Sequence, residues 1–232
     1  MTIDAVAVAR RAVLDAAADV GRPVEGVGEA PAVVDDWSLN PRALDFLTHL
    51  VARLQPRAVF ELGSGTSTVT LATAASALPN PASIVTIESD PFHHARTTEM
   101  LHQANLCGAV RLVDAHLVAR RRHGRYVPTY AAPVPGGDGN EDVWRAGWAD
   151  VVLVDGPPLP LGGREGSIDQ ALAAARVGGV VVLDDSRRDS ERELLARMLT
   201  QFDGSVEAMN LLGFDKGLAV VLVTAPISAD ER

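Results

Sequence analysis

Ala58-Val59-Phe60-Glu61-Leu62-Gly63-Ser64-Gly65-Thr66-Ser67-Thr68-Val69-Thr70-Leu71-Ala72 is the stretch whose reading decides the fold. A short apolar run carrying one acid breaks into Gly-Ser-Gly and resumes with apolar periodicity, which reads as strand, tight turn and helix. Gly63 and Gly65 let the backbone turn sharply and come close to a bound molecule, and the first N–H groups of the next helix face the same spot. Glu61 brings a carboxylate to the strand's end, suited to a ligand amine or hydroxyls. A lone Gly-x-Gly also occurs in ordinary strand-to-helix turns. The following strand strengthens the ligand reading, because Ser83 to Ile87 ends in Glu88, about where α/β folds place an acid on a ribose.

A nicotinamide fingerprint, Gly-x-Gly-x-x-Gly, requires glycine where this chain has Thr68. The stretch instead resembles the first motif of the class I S-adenosylmethionine-dependent methyltransferases, acid-x-Gly-x-Gly. Glu61, Gly63 and Gly65 match it, Ser67 stands where many members carry a third glycine, and the family's ribose acid falls on Glu88. The resemblance implies cofactor contacts from Glu61, Gly63, Ser64, Gly65, Ser67 and Glu88. It adds Asp114 and Ala115, just after the third strand, at the adenine ring.

The chain has 232 residues, 47% of them hydrophobic, enough for one α/β domain with its own core. The expected division is an N-terminal helical extension and connector over 1–36 and a cofactor-binding domain over 37–232. No run is long and apolar enough to cross a membrane, and Met1-Thr2-Ile3-Asp4 lacks the basic start of a signal peptide, so a soluble cytoplasmic protein is expected. Cys107 is the only cysteine, which excludes an internal disulfide and a thiol-rich metal site; it reads as a small buried hydrophobe. A net charge of −9 argues against a nucleic-acid partner and leaves a small molecule.

Ile3, Val6, Val13, Leu14 and Ala17 mark an amphipathic helix, which could cover the active site or serve as a homodimer contact. Asn40-Pro41 caps a second helix along Leu44, Leu47, Leu50, Val51 and Leu54. Asp90-Pro91 opens another, in which His93 and His94 read as solvated. Val110 to Val113 forms the third strand. Residues 117–142, with Arg120-Arg121-Arg122-His123-Gly124-Arg125 and a Pro/Gly stretch, read as a long loop whose basic cluster is a solvated face or a steering patch for an acidic substrate. Ala149 to Val154 forms the fourth strand, delivering Asp155; Val180 to Leu183 forms the fifth, delivering Asp184-Asp185. A helix is expected to be capped near Ser167, and Ser190-x-x-Glu193 reads as a capping box for the next. The tail, Ser205 to Met209 and Leu218 to Val223, has the character of a strand pair. Such an antiparallel pair ends class I methyltransferases. The resemblance therefore implies a Rossmann-like doubly wound sheet in the order 3-2-1-4-5-7-6, with strand 7 antiparallel.

Three carboxylates should converge at the edge where strands four and five end. Oxygen ligands of this kind suit Mg²⁺, Ca²⁺ or Mn²⁺. The set resembles that of metal-dependent small-molecule O-methyltransferases of the catechol and caffeoyl-CoA type, which implies a metal on Asp155, Asp184 and Asp185. A Val-Asp-Gly-Pro-Pro run and a later Asp-Asp-Ser-Arg also resemble a broad bacterial methyltransferase group. Two departures stand out: Gly156-Pro157-Pro158-Leu159 offers no lysine base after Asp155, and the strand-five pair is Asp-Asp where Asp-Asn is usual.

The expected reaction is O-methylation of a small molecule with S-adenosylmethionine, a divalent ion such as Mg²⁺ lowering the acceptor's pKa. Asp155 and His116 are the candidate catalytic residues, with His123 a further candidate base. Arg164, Arg187 and Arg188 either bind a substrate carboxylate or pair with the acids. The competing readings are a metal-independent N- or C-methyltransferase and a catalytically silent binding protein of the same fold.

Overall fold

A computed structural model describes residues 4–28, 38–122, 124–131, 145–211, 214 and 216–227. Its elements run α1 Ala5–Asp19, α2 Pro41–Leu54, β1 Ala58–Leu62, α3 Thr66–Ser76, β2 Ser83–Glu88, α4 Pro91–Gln103 and β3 Val110–Asp114. After them come β4 Leu117–Arg122, β5 Arg125–Tyr130, β6 Ala149–Val154, α5 Glu165–Ala174, β7 Ala175–Asp184, α6 Asp189–Gln201, β8 Val206–Leu211 and β9 Leu218–Val223. Seven strands form one sheet in the order β3-β2-β1-β6-β7-β9-β8, while β4 and β5 make a separate hairpin. Strands β3, β2, β1, β6 and β7 are parallel neighbours in that order, and β9 runs antiparallel to both β7 and β8. With the hairpin set aside, this is the expected 3-2-1-4-5-7-6 order.

The central strands are apolar on both faces, as a sheet covered on both sides requires, and every residue of β6 and β9 is buried. Val59, Ile84, Val151, Leu153, Val182 and Val220 pack on one face under α1, α2 and α3. Phe60, Val85, Val152, Val154, Val181 and Val221 pack on the other under α5 and α6. Each neighbouring strand residue changes face because the side-chain period is two. At the end remote from the site, Asp150 accepts the N–H groups of Arg57 and Ala58, 2.8 and 2.9 Å, and pairs with Arg176. That buried acid ties the start of β1 to β6 and β7.

The helix starts follow their sequence signals in α2 and α4. Asn40 accepts the Ala43 N–H at 2.9 Å with Pro41 next, and Asp90 accepts the Phe92 N–H at 2.8 Å. Replacing a capping side chain by alanine costs about 1 kcal/mol. Asn40→Ala is accordingly expected to lower thermal stability by a few degrees, read by circular dichroism, with the fold intact.

Several expectations are corrected. Residues 117–122 and 125–130 pair as a hairpin, β4 with β5 from Leu117↔Tyr130 to Arg122↔Arg125, where a loop was expected. Pro128 disguises β5, but in a two-stranded ribbon a proline N that faces away from the ladder is tolerated. Helix α6 begins without the Ser190 capping box: Arg188 is its N-cap residue, and the Ser190 hydroxyl bonds Glu191 instead. Ser167 is buried within α5, which begins at Glu165. The fifth parallel strand starts at Ala175, five residues early, through an irregularity against Ala149 and Val151. Cys107 is exposed, because it falls on the turn after α4 and outside the apolar stripe. Helix α1 buries Ala9, Val13 and Ala16 in the first core, against α2, β7 and β9. Among the described residues no helix is long and apolar enough to cross a membrane.

Candidate active site

Two backbone turns meet at the carboxyl edge of the sheet. The ladder continues past the strands, with Gly63 N–H donating to Ile87 O at 2.9 Å and Asp155 N–H to Leu62 O at 3.0 Å. Gly63 sits at φ +95°, and a Cβ there would lie 2.9 Å from Gly156 N and 3.1 Å from the Asp155 carbonyl carbon. Only glycine allows this conformation and this approach. The turn after β1 and the turn after β6 therefore touch backbone to backbone, which brings Ser64 and Asp155 to one opening.

Behind the turn, Glu61 is fully buried. Thr68 and Thr86 each donate a hydroxyl hydrogen bond to its Oε2 at 2.7 Å, and the Gly65 N–H donates to the Thr68 oxygen at 3.0 Å. Burial pushes the Glu61 carboxyl up to about 7, against the pull of hydroxyls from Ser67, Thr68 and Thr86. The position that would be glycine in a dinucleotide fingerprint thus holds a threonine that links the helix start to the motif's acid.

Glu88 holds the next corner. Its Oε2 accepts from the Ser64 N–H at 2.8 Å and the Ser64 hydroxyl at 3.0 Å, and its Oε1 from the N–H groups of Ser89 and Asp90 at 2.7 and 2.8 Å. Four donors fix this carboxylate at the end of β2, where it lines the cavity.

The third corner is acidic and basic at once. Asp155, Asp184 and Asp185 each bring a carboxylate oxygen within 4.8 Å of the others. Arg164, 4% exposed in its side chain, enters among them: Nη2 donates to Asp155 Oδ1 and to Asp185 Oδ2, 2.9 Å each, while Nη1 donates to the Pro157 carbonyl at 2.6 Å. Arg188 reaches the same Asp185 Oδ2 at 2.7 Å. Burial, then the neighbouring Asp185, raises the Asp184 carboxyl; burial raises Asp155 too, well above its ordinary value, with Arg164 pulling it down.

These corners enclose a cavity of about 440 Å³ whose far wall is Pro158, Leu159, Pro160 and Leu161, with Lys216 at its side. A smaller cleft of about 30 Å³ opens beside it along Ser64, Gly65, Thr66 and Ser67 under Leu39. Ser64, His93 and Asp155 line both.

No protein-family model matches this chain, and no curated protein does. Solved structures do. The SAH-bound methyltransferase PaMTH1 of Podospora anserina superposes with a TM-score of 0.60 at 15% identity, over 92% of this chain and 88% of that one. An O-methyltransferase of Bacillus cereus in complex with SAH gives 0.58 at 18%, over 94% and 91%. The O-methyltransferase TomG of Streptomyces achromogenes, involved in tomaymycin synthesis and in complex with SAM, gives 0.55 at 22%, over 92% and 90%. The fold is that of the class I methyltransferases. At these identities the likeness is one of architecture.

Within this methyltransferase fold, Gly63, Ser64, Gly65, Ser67 and Glu88 line the cavity or its cleft. Glu61 lies beneath the turn, spent on Thr68 and Thr86. Asp114 is exposed in register with Glu88, Ala115 is packed in the second core, and none of the three is on the cavity wall. His116 is exposed beyond β3 and outside the cavity; His123 lies outside the described residues. His93, expected to be solvated, stands on the wall because α4 starts at the site. Tyr130 went unread with its hairpin: it is buried, its main chain is held by Gln170 at 2.8 and 3.2 Å, and its hydroxyl lies against Gly156. The alternation of buried Val127 and Thr129 after Gly124 was the signal that could have found it.

The three aspartates expected to hold a divalent ion do converge, one oxygen of each within 4.8 Å of the others, and Arg164 Nη2 is shared by two of them, Asp155 and Asp185. Oδ1 of Asp184 and Oδ1 of Asp185 are buried without a hydrogen-bond partner in the protein.

Proposed function

We propose that this protein is an S-adenosylmethionine-dependent methyltransferase acting on an oxygen of a small molecule. The single observation that carries the reading is the pair of adjoining clefts that share Ser64, His93 and Asp155 on their walls. The larger, of about 440 Å³, runs from Gly63, Ser64 and Glu88, which suit the cofactor, to an apolar wall ending in Leu159 and Leu161, each about half exposed, which suits a small molecule; the smaller continues behind the glycine turn along Gly65, Thr66 and Ser67. The fold shared with SAM- and SAH-bound enzymes supports the choice of cofactor.

S-adenosylmethionine supplies a methyl group on a sulfonium, already an excellent leaving group, so the residues act mainly by placement. Glu88, fixed by four donors at the end of β2, is positioned to take ribose hydroxyls. Gly63 and Gly65 let the main chain approach the cofactor. Asp155 stands between the two clefts with Oδ1 held by Arg164, placed to accept the acceptor hydroxyl's proton. Leu159 and Leu161 cover the apolar body of the acceptor.

Calorimetric titration with S-adenosylmethionine and S-adenosylhomocysteine, beside NAD, tests this. Micromolar binding of the two sulfur ligands and none of NAD is expected. Glu88→Gln should weaken both by about tenfold, since it removes the charge that strengthens hydroxyl hydrogen bonds. Absence of binding by either sulfur ligand would end the methyltransferase reading.

A further inference from the structure

We propose that Arg164 is the resident cation of this site, and that its guanidinium holds the position among Asp155, Asp184 and Asp185 that a divalent ion would otherwise take. The inference deepens the methyltransferase reading and rests on it only for its consequence, a reaction without a metal. The geometry stands by itself. Nη2 of Arg164 lies 2.9 Å from both Asp155 Oδ1 and Asp185 Oδ2, bridging the ends of β6 and β7 as a shared ion would. The side chain is buried, and among the described residues it pairs with Asp155 and Asp185. Its third bond, to the Pro157 carbonyl, anchors the segment 157–163 that forms the acceptor wall.

The chain's departures fit this assignment. Asp-Asp at 184–185 carries one more negative charge than Asp-Asn, and a second cation, Arg188, closes on Asp185 from outside at 2.7 Å. The loop after β6 has no lysine, but Arg164, at its far end and N-terminal to α5, delivers a fixed positive charge to the same corner. A guanidinium suits this task because its planar fork spans two carboxylates and a carbonyl in one geometry. Arg164 thus acts as a positioning residue, holding Asp155 between the two clefts and the leucine wall opposite it.

The test is a titration with MnCl2, free Mn²⁺ being read by its electron paramagnetic resonance signal, on the wild type, Arg164→Lys, Arg164→Met and Arg164→Met/Asp155→Asn. The wild type and Arg164→Lys are expected to take up no Mn²⁺ at millimolar concentration. Arg164→Met, which keeps the stem's bulk and removes the charge, is expected to gain a site at least about tenfold tighter than any in the wild type, lost again in the double variant. Gain of an ion is a readout that loss of packing alone would not produce. Wild-type protein that binds Mn²⁺ stoichiometrically overturns the proposal, and that arm decides even if Arg164→Met does not fold. A folded Arg164→Met without Mn²⁺ affinity overturns it as well. S-adenosylmethionine calorimetry on the same preparations reads the cofactor separately, so failure of the methyltransferase reading leaves the ion result standing and distinguishable.

Discussion

Gly63→Ala is expected to abolish binding of S-adenosylmethionine and to destabilise the protein by roughly 2–6 kcal/mol, the sum of backbone strain and overpacking. The first part arises because φ is +95° at this residue, a conformation a side chain resists. The second arises because the new Cβ would meet Gly156 N at 2.9 Å and the Asp155 carbonyl carbon at 3.1 Å. Both are main-chain atoms just past the Asp155 N–H that bonds Leu62 O, so neither can yield without parting the turns after β1 and β6. Gly65→Ala is the contrasting variant. Its backbone is extended, and a Cβ there meets nothing within 4 Å. It should cost no more than about 1 kcal/mol, the difference between alanine and glycine at a helix N-cap. A cofactor lying against the turn would meet that Cβ, so Gly65→Ala is expected to fold normally and still bind weakly. Guanidinium denaturation and calorimetry on the pair separate the two effects. Equal stability of Gly63→Ala and the wild type would contradict the backbone contact.

That contrast bears on what a sequence can tell. Gly63 and Gly65 look alike as letters, and both mark a turn, yet one is required by the protein and the other is open to a ligand. The difference comes from β6, ninety residues away, whose following turn packs on Gly63 but not on Gly65. The sheet itself was legible because each parallel strand is an apolar run between turn signals, and the terminal pair because β8 and β9 are separated by a glycine-bearing connection. Local reading failed where a residue's partner lies on another element. Arg164 was seen as a basic residue in a loop, with pairing and substrate binding both open, since nothing in the segment 157–164 states that Asp155 and Asp185 end on either side of it. Tyr130 and the hairpin were hidden because Pro128 and three successive arginines look unlike a strand. They pair because Val127 and Thr129 bury one face while Arg125 is drawn to Glu165 on α5, at 2.5 Å. His93 reached the wall by the placement of α4, which a helix pattern alone does not specify.

Glu61 gives the other large effect, and its sign is opposite to that of an ion-paired acid. Its carboxyl titrates at about 7 in the folded protein against 4.5 ordinarily, because burial penalises the charge more than three hydroxyls relieve it. Below pH 4.5 both folded and unfolded chains hold the proton. Between 4.5 and about 7 the unfolded chain has released it and the folded one has not, so the folded state binds more protons and stability falls as pH rises. Above about 7 both are ionised and the loss is complete. The full shift is worth on the order of 3 kcal/mol, of which roughly 2–3 kcal/mol lies between pH 5 and 8. Glu61→Gln keeps an oxygen that can accept from Thr68 and Thr86 and cannot ionise. Relative to the wild type, this variant should therefore gain roughly 2–3 kcal/mol between pH 5 and 8, measured by denaturant unfolding at each pH. Taking the difference between the two proteins cancels the titration of every other group that the substitution leaves alone. Parallel profiles would mean that Glu61 is ionised throughout, and the threonines would then be solvating a buried charge. The expected divergence would make Glu61 a neutral acid at the core of the turn below about pH 7, held there by burial against the hydroxyls of Thr68 and Thr86.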